Sequence, residues 1–204
     1  MNLFQSRSPI RIEIPDADVL YFEAPDLGVS SREALERLLR EVPWEQRTIT
    51  VWGKAHLQPR LIAWYGDPGT TYSYSRIQLA PRPWTDWLMH LKVAVENAVA
   101  SRFNSALLNL YRDHRDSMGF HSDDEPELGP HPTIASLSFG AERVFLLKHR
   151  AGASGTVRLK LASGSLLLMK GKTQAHWQHG INKQATPCGP RVNVTFRQIL
   201  QGIQ

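Results

Sequence analysis

From Ser105 onward the chain breaks into short segments that have room for strands and for little else: residues 106–111, 133–139, 144–148, 156–161, 165–169 and 191–200. Each is apolar or alternating, and each is set off by Gly, Pro, Ser or other polar residues, which is the pattern of strands joined by turns. Earlier in the chain, Ile10, Ile12 and Ile14 alternate with Arg11 and Glu13 ahead of Pro15 and read as one more half-buried strand. Two stretches have helical spacing. Ser30 with Glu33 forms a capping box ahead of Leu35, Leu38 and Leu39, a stripe that ends near Pro43. Residues 83–100 place Trp84, Trp87, Leu88, Leu91, Val95 and Ala98 three or four apart behind a proline. The predicted class is α+β, mainly β: a double-sheet jelly roll backed by helices.

A chain of 204 residues with 42% hydrophobic and 21% charged residues suits one globular domain with a sizeable core. We expect a single domain over 1–204, with helices and a recognition lid in 1–104 and the jelly-roll core in 105–204. No apolar run approaches a membrane span, and Asn2, Gln5, Ser6 and Arg7 leave no secretory core at the N-terminus. The expectation is a soluble monomer with no membrane partner, in a bacterial cytoplasm. The single Cys188 excludes an internal disulfide and any Cys-rich metal site, so a metal would rest on His and carboxylates, which favours iron over structural zinc. The net charge of +5 and pI near 9.6 suit a polyanionic partner, although they also serve plain solubility.

In the stretch Met118-Gly119-Phe120-His121-Ser122-Asp123-Asp124-Glu125 an imidazole stands two residues from a carboxylate. In an extended segment those two side chains leave the same face. One more imidazole would complete the two-His, one-carboxylate set that leaves open positions on Fe(II). The candidates are His114, His131, His149, His176 and His179. Spacing alone does not choose between His176 and His179, but Gly180 permits close backbone approach and favours the latter. In Arg191-Val192-Asn193-Val194-Thr195-Phe196-Arg197 the alternation puts two arginines, an amide and a hydroxyl on one face and apolar groups on the other. Two planar guanidinium groups could hold a small dicarboxylate. Asn109 and Tyr111 repeat the pattern opposite Leu108 and Leu110.

Between Arg47 and Arg76 aromatic and basic residues interleave: Trp52, Trp64, Tyr65, Tyr72 and Tyr74 beside Lys54, His56, Arg60 and Arg76. This mixture suits base stacking with phosphate contact. Residues 49–54 read as a strand entering a hairpin with Trp52 near its tip, a candidate wedge between bases. Trp64 and Tyr65 could equally fill a β core.

Taken together, His121-Ser122-Asp123, His179, Asn109-Leu110-Tyr111 and the arginine strand resemble the AlkB family of Fe(II)- and 2-oxoglutarate-dependent dioxygenases, nearest its DNA-repair members. Trp64-Tyr65-Gly66-Asp67, Tyr72-Ser73-Tyr74-Ser75 and Ile134-Ala135-Ser136-Leu137-Ser138-Phe139-Gly140 also look like this family, and the resemblance runs from about Thr50 to Leu200. It implies a double-stranded β-helix with an N-terminal lid. It also implies Fe(II), 2-oxoglutarate and O2 as cofactors, with His121, Asp123 and His179 as the metal ligands that carry catalysis. Asn109, Tyr111, Arg191, Asn193 and Arg197 would bind 2-oxoglutarate, Arg191 on the carboxylate far from the metal and Arg197 nearer to it.

The implied reaction is oxidative demethylation of 1-methyladenine or 3-methylcytosine in DNA, releasing succinate and formaldehyde. Methylated RNA or protein is the alternative substrate, and a non-catalytic nucleic-acid-binding jelly roll is a third reading. A flipped base would meet Trp64, Tyr72, Tyr74, Ser75 and Arg76, while Asp124 and Glu125 would favour its positive charge. Trp52 matches the intercalating position of duplex-acting relatives, which favours double-stranded DNA as a substrate, with single-stranded DNA left open beside it. Lys183 alone stands where those relatives carry a basic run.

Overall fold

The computed structural model describes residues 8–51, 53–70, 72–74, 77–79, 81–152 and 154–200. Its strands, in chain order, are β1 (Ile10–Arg11), β2 (Asp18–Phe22), β3 (Thr48–Val51), β4 (Lys54–Leu57), β5 (Leu61–Gly66), β6 (Tyr72–Tyr74), β7 (Ile77–Leu79), β8 (Ser105–Tyr111), β9 (Met118–His121), β10 (Ile134–Gly140), β11 (Arg143–His149), β12 (Val157–Leu161), β13 (Leu166–Lys170), β14 (Trp177–Ile181) and β15 (Arg191–Arg197). Helix α1 (Ser31–Glu41) follows β2, α2 (Asp86–Val99) precedes β8, and the one-turn α3 (Thr173–His176) leads into β14.

Antiparallel pairing gathers these strands into a seven-stranded sheet ordered β1-β2-β13-β10-β15-β8-β5 and a four-stranded sheet ordered β12-β11-β14-β9, with β3-β4 and β6-β7 as separate hairpins. The larger sheet carries apolar side chains on both faces, so both must be covered. On one face Leu108, Leu110, Leu137, Val192, Val194 and Phe196 pack against Ala34 and Leu38 of α1 and Leu88, Leu91 and Val95 of α2. On the other, Leu107, Ile134, Leu167 and Met169 meet Phe145, Leu147, Leu161, Trp177 and Ile181 from the smaller sheet. The result is a two-sheet jelly roll with helices outside the larger sheet. Fully buried side chains such as Leu38, at 0% exposure, each contribute about 1.5–3 kcal/mol relative to exposure.

The helix starts obey local chemistry. The Ser30 hydroxyl accepts the Glu33 N–H at 3.2 Å, as the capping box predicts. The second helix starts later than its proline suggested, because Thr85 is the N-cap, its hydroxyl accepting the Leu88 N–H at 3.2 Å. It ends where Ala100 turns left-handed at φ 51°. Buried Glu96 then accepts the Phe103 N–H at 2.8 Å and pairs with Lys92 and Arg102, fixing the reversal into β8.

Two features depart from the sequence reading. The alternation through Ile14 yields a strand of only two residues. The larger sheet also draws β1, β2 and β5 from the first half of the chain, so its make-up ignores a division at residue 104. Among the described residues no helix is long and apolar enough to cross a membrane.

Candidate metal centre and cosubstrate pocket

The pairing of β14 with β9 sets His179 directly opposite His121. Their rings meet edge to face with centroids 4.3 Å apart. Glycine is required beside them, since a Cβ on Gly180 would lie 2.9 Å from the Met118 carbonyl oxygen. Asp123 is fixed from two sides: its N–H donates to Gln174 Oε1 at 2.9 Å, and its Oδ1 accepts from Arg197 Nη2 at 2.7 Å. One donor atom from each of His121, Asp123 and His179 falls within 4.8 Å of the others.

Protonation follows from the same geometry. Burial would by itself raise the Asp123 pKa, but Arg197, His179 and His121 outweigh it and hold the carboxyl at about 2. His179 is pushed down to about 3, first by burial and then by His121. Burial likewise lowers His121. Two neutral imidazoles and one carboxylate are what a divalent metal requires of its ligands. The His121 Nδ1 lies 3.0 Å from the Gly119 carbonyl oxygen; a carbonyl only accepts, so Nδ1 holds the proton and Nε2 keeps its lone pair. Asp123 Oδ2 is buried with no hydrogen-bond partner among the described residues. The donor set therefore fits Fe(II), with two nitrogens and one oxygen.

The polar face of β15 borders the same cavity. Its lining includes His121, Asp123, His179, Asn109, Tyr111, Arg191, Asn193 and Arg197, closed by Leu107, Met118, Phe145, Met169 and Ile181 among others. Arg191, only 1% exposed, donates from Nη2 to Ser138 Oγ at 2.9 Å, while its Nε and Nη1 have no hydrogen-bond partner among the described residues. Burial lowers its pKa, Tyr111 opposes that shift and Arg143 adds to it. The Tyr111 ring lies 5.2 Å from the guanidinium carbon of Arg191 and 5.8 Å from that of Arg143. A buried guanidinium with donors to spare calls for a carboxylate, which suits the far end of 2-oxoglutarate.

Asn109 and Asn193 stand opposite each other in the β8–β15 register. Asn193 Nδ2 donates to Ser136 Oγ at 2.8 Å, and its Oδ1 accepts from Thr195 at 2.8 Å. Asn109 Oδ1 accepts from Arg60 Nε at 2.8 Å, and because arginine only donates, the Asn109 amide is left with its NH2 as the group to offer a ligand.

The expected substrate residues fare differently. Trp64 corrects one expectation: at 4% exposure it belongs to the core between the two sheets, because β5 places Ile62 and Trp64 on the inner face and Ala63 and Tyr65 on the helix side. Asp124 is half exposed and paired with Arg150, which also donates to Ser122 Oγ at 2.7 Å. Neither Asp124 nor Glu125 lines the cavity. Tyr72 and Tyr74 are residues of β6, paired with β7; Trp52, Ser75 and Arg76 lie outside the described residues.

Three residues that the sequence did not single out for this site prove to be built into it. Arg60, grouped by composition with phosphate contacts, is 4% exposed and holds Asn109. Only the β5–β8 pairing, which sets Ile62 opposite Asn109, brings it there. Gln174 comes from α3, a turn too short to leave a periodic trace. Arg143, also buried, ties β11 to the Asp113, Asp116 and Asn182 carbonyls.

Comparison with known proteins agrees with this geometry. Residues 29–197 match the family described as the 2OG-Fe(II) oxygenase superfamily. The chain is 45% identical over 173 residues to alpha-ketoglutarate-dependent dioxygenase alkB homolog 3 of Bos taurus, covering 80% of this chain and 60% of that protein. It is 40% identical over 179 residues to DNA oxidative demethylase ALKBH2 of Mus musculus, covering 81% of this chain and 75% of that protein. The chain thus spans about 60% of the length of the alkB homolog 3 proteins it matches. The solved structure of OsALKBH1 superposes with a TM-score of 0.63 at 16% identity, over 93% of this chain and all of that one, a likeness of fold. An oxidoreductase of the 2OG-Fe(II) oxygenase family from Burkholderia pseudomallei gives 0.55 at 12% identity, over 89% of this chain and 86% of that one. With its His-x-Asp and His donors meeting in a jelly roll beside two buried arginines, the chain belongs to the AlkB branch of the 2OG-Fe(II) oxygenase superfamily, a family whose cofactors are Fe(II), 2-oxoglutarate and O2.

Proposed function

We propose that this protein demethylates N-alkylated bases in DNA, with 1-methyladenine and 3-methylcytosine as substrates and succinate and formaldehyde as products. The observation that carries the reading is the cavity in which His121, Asp123 and His179 adjoin a buried Arg191, two of whose donors have no partner among the described residues. The substrate class rests on the relatives, among them one named a DNA oxidative demethylase, and on the basic balance of the chain.

In this reading His121, Asp123 and His179 hold Fe(II). With 2-oxoglutarate and O2 it supplies hydroxylation of the N-methyl group, coupled to decarboxylation of 2-oxoglutarate to succinate. The protein's share is binding and orientation. Arg191 and Tyr111 take the distal carboxylate of 2-oxoglutarate, while Arg197, already bonded to Asp123, stands by the proximal end. Asn109 offers the NH2 that Arg60 leaves it, and Phe145, stacked 5.3 Å from His179, keeps water from the ligand ring. The base arrives flipped out of its stack. Trp52, Tyr72, Tyr74, Ser75 and Arg76 are its proposed contacts, with Asp124 and Glu125 past the ligand turn favouring a cationic ring. We place this work in the cytoplasm and assign it to a monomer.

Methylated RNA is the second reading, since a single basic residue, Lys183, follows β14 where a duplex grip would need several. The test is repair of matched oligonucleotides with one 1-methyladenine in single-stranded DNA, double-stranded DNA or RNA, with Fe(II), ascorbate and 2-oxoglutarate. Loss of the methyl group from DNA supports the proposal. Turnover on RNA alone moves the substrate to RNA, and turnover of 2-oxoglutarate with no oligonucleotide repaired points to protein.

A further inference from the structure

A second set of ligand-type side chains converges outside the cavity just described. Asp16, in the turn between β1 and β2, His149, at the end of β11, and His176, at the end of α3, each bring one donor atom within 4.8 Å of the other two. Three segments far apart in sequence are held there by bonds that do not involve these side chains. Trp177 Nε1 donates to the Pro15 carbonyl at 2.8 Å, the Arg150 N–H to the His176 carbonyl at 2.8 Å, and the Asp18 N–H to Thr173 Oγ1 at 2.9 Å. The His149 and His176 rings lie nearly parallel, at 24°, with centroids 5.9 Å apart, and Trp177 meets His149 edge-on.

His149 is the informative member. Its side chain is 4% exposed, and its Nε2 is buried without a hydrogen-bond partner among the described residues, although the Asp16 carboxylate lies 3.5 Å away. A buried ring nitrogen normally finds a partner. Here it faces one carboxylate and a second imidazole.

We propose that Asp16, His149 and His176 form a second metal site for a divalent d-block ion of the Zn(II) type. Two imidazoles and one carboxylate supply three of four tetrahedral positions and leave the last to water. A single carboxylate among nitrogen donors disfavours Mg2+ and Ca2+, which need oxygen-rich shells. The site joins the β1–β2 turn to α3 and β11, and so braces the one-turn helix whose Gln174 holds Asp123.

Binding asks one local change. The Ala151 N–H donates to His149 Nδ1 at 3.2 Å, so without metal the ring proton sits on Nε2, toward Asp16. Ligation through Nε2 moves that proton to Nδ1, and the Ala151 contact must open. The turn can yield at that contact, because Ala151 and Gly152 are exposed and lie past the end of the β11–β12 pairing, while Arg150 keeps its bond to the His176 carbonyl.

The test uses the full, tag-free chain stripped of metal and titrated with Co(II), followed by equivalents bound and by the visible spectrum. The wild type is expected to bind two equivalents, one giving the intense absorption of a four-coordinate ion. Asp16→Ala and His176→Ala, both at positions that are not fully buried, should each lose one equivalent together with that band, with their metal-free melting checked by circular dichroism. His121→Ala should keep the band, which separates this site from the iron centre. One equivalent in the wild type, or two retained in both Asp16→Ala and His176→Ala, overturns the proposal.

Discussion

Arg60 offers the clearest separation between composition and geometry. The residue is 4% exposed; its guanidinium donates from Nε to Asn109 Oδ1 at 2.8 Å, and its Nη1 stands 3.5 Å from the Ser117 carbonyl. Arg60→Met keeps the stem and removes the donors, leaving the Asn109 oxygen buried and free to turn. A buried hydrogen bond to a charged group is worth about 1.5–3 kcal/mol. At about 1.4 kcal/mol per tenfold, the KM for 2-oxoglutarate should rise roughly 10- to 100-fold. The value of kcat should change much less, since Arg60 acts as a positioning residue. Succinate formation against 2-oxoglutarate concentration, at saturating oligonucleotide, measures both, and Arg60→Lys should recover part of the loss. An unchanged KM for 2-oxoglutarate with a raised KM for the oligonucleotide would refute this role and make Arg60 the phosphate contact that its basic neighbourhood suggested.

Other outcomes follow from the same packing. Gly180→Ala forces a Cβ to within 2.9 Å of the β9 backbone that carries His121, so metal affinity should fall at least about tenfold, read by Co(II) titration; an unchanged titration contradicts the close approach. Arg191→Lys keeps the charge but loses the planar fork, and should weaken 2-oxoglutarate binding by roughly tenfold or more in a direct binding measurement. Acid should destabilise the metal-free protein. His179 has a folded pKa of about 3 against an ordinary 6.5, so between those values the unfolded chain binds the extra proton, and stability falls as pH drops through that window. Asp123, at about 2 against 3.8, adds loss of the same sign at lower pH. Melting temperatures of metal-free wild type and His179→Gln at pH 7, 6 and 5 check this: the wild type should decline more steeply, and parallel curves would contradict it.

What could be read from the sequence is what local periodicity encodes. The alternation of β15 announced both its polar face and its apolar face, and Ser30 announced the start of α1. His121 and Asp123 are two residues apart, the first ending β9 and the second just past it, and both line the cavity as the spacing suggested. The rest depends on pairings between distant segments. Nothing local to Asp18–Phe22 or Leu61–Gly66 says that they join Leu166–Lys170 and Ser105–Tyr111 in the larger sheet. Trp64 reads the same whether it faces a base or a core, until a second sheet covers β5. Arg60 and Arg150 look like surface charges beside other surface charges, and only the fold turns one toward Asn109 and the other toward Asp124.

The most direct measurement is the coupling of products: succinate and formaldehyde quantified together from wild type and Asp123→Ala acting on DNA with one 1-methyladenine. The proposed function predicts equal amounts of the two from wild type and neither from Asp123→Ala, which removes the carboxylate that Arg197 holds. Succinate formed without formaldehyde would contradict demethylation of the base, and formaldehyde from Asp123→Ala at the wild-type rate would contradict the metal centre itself.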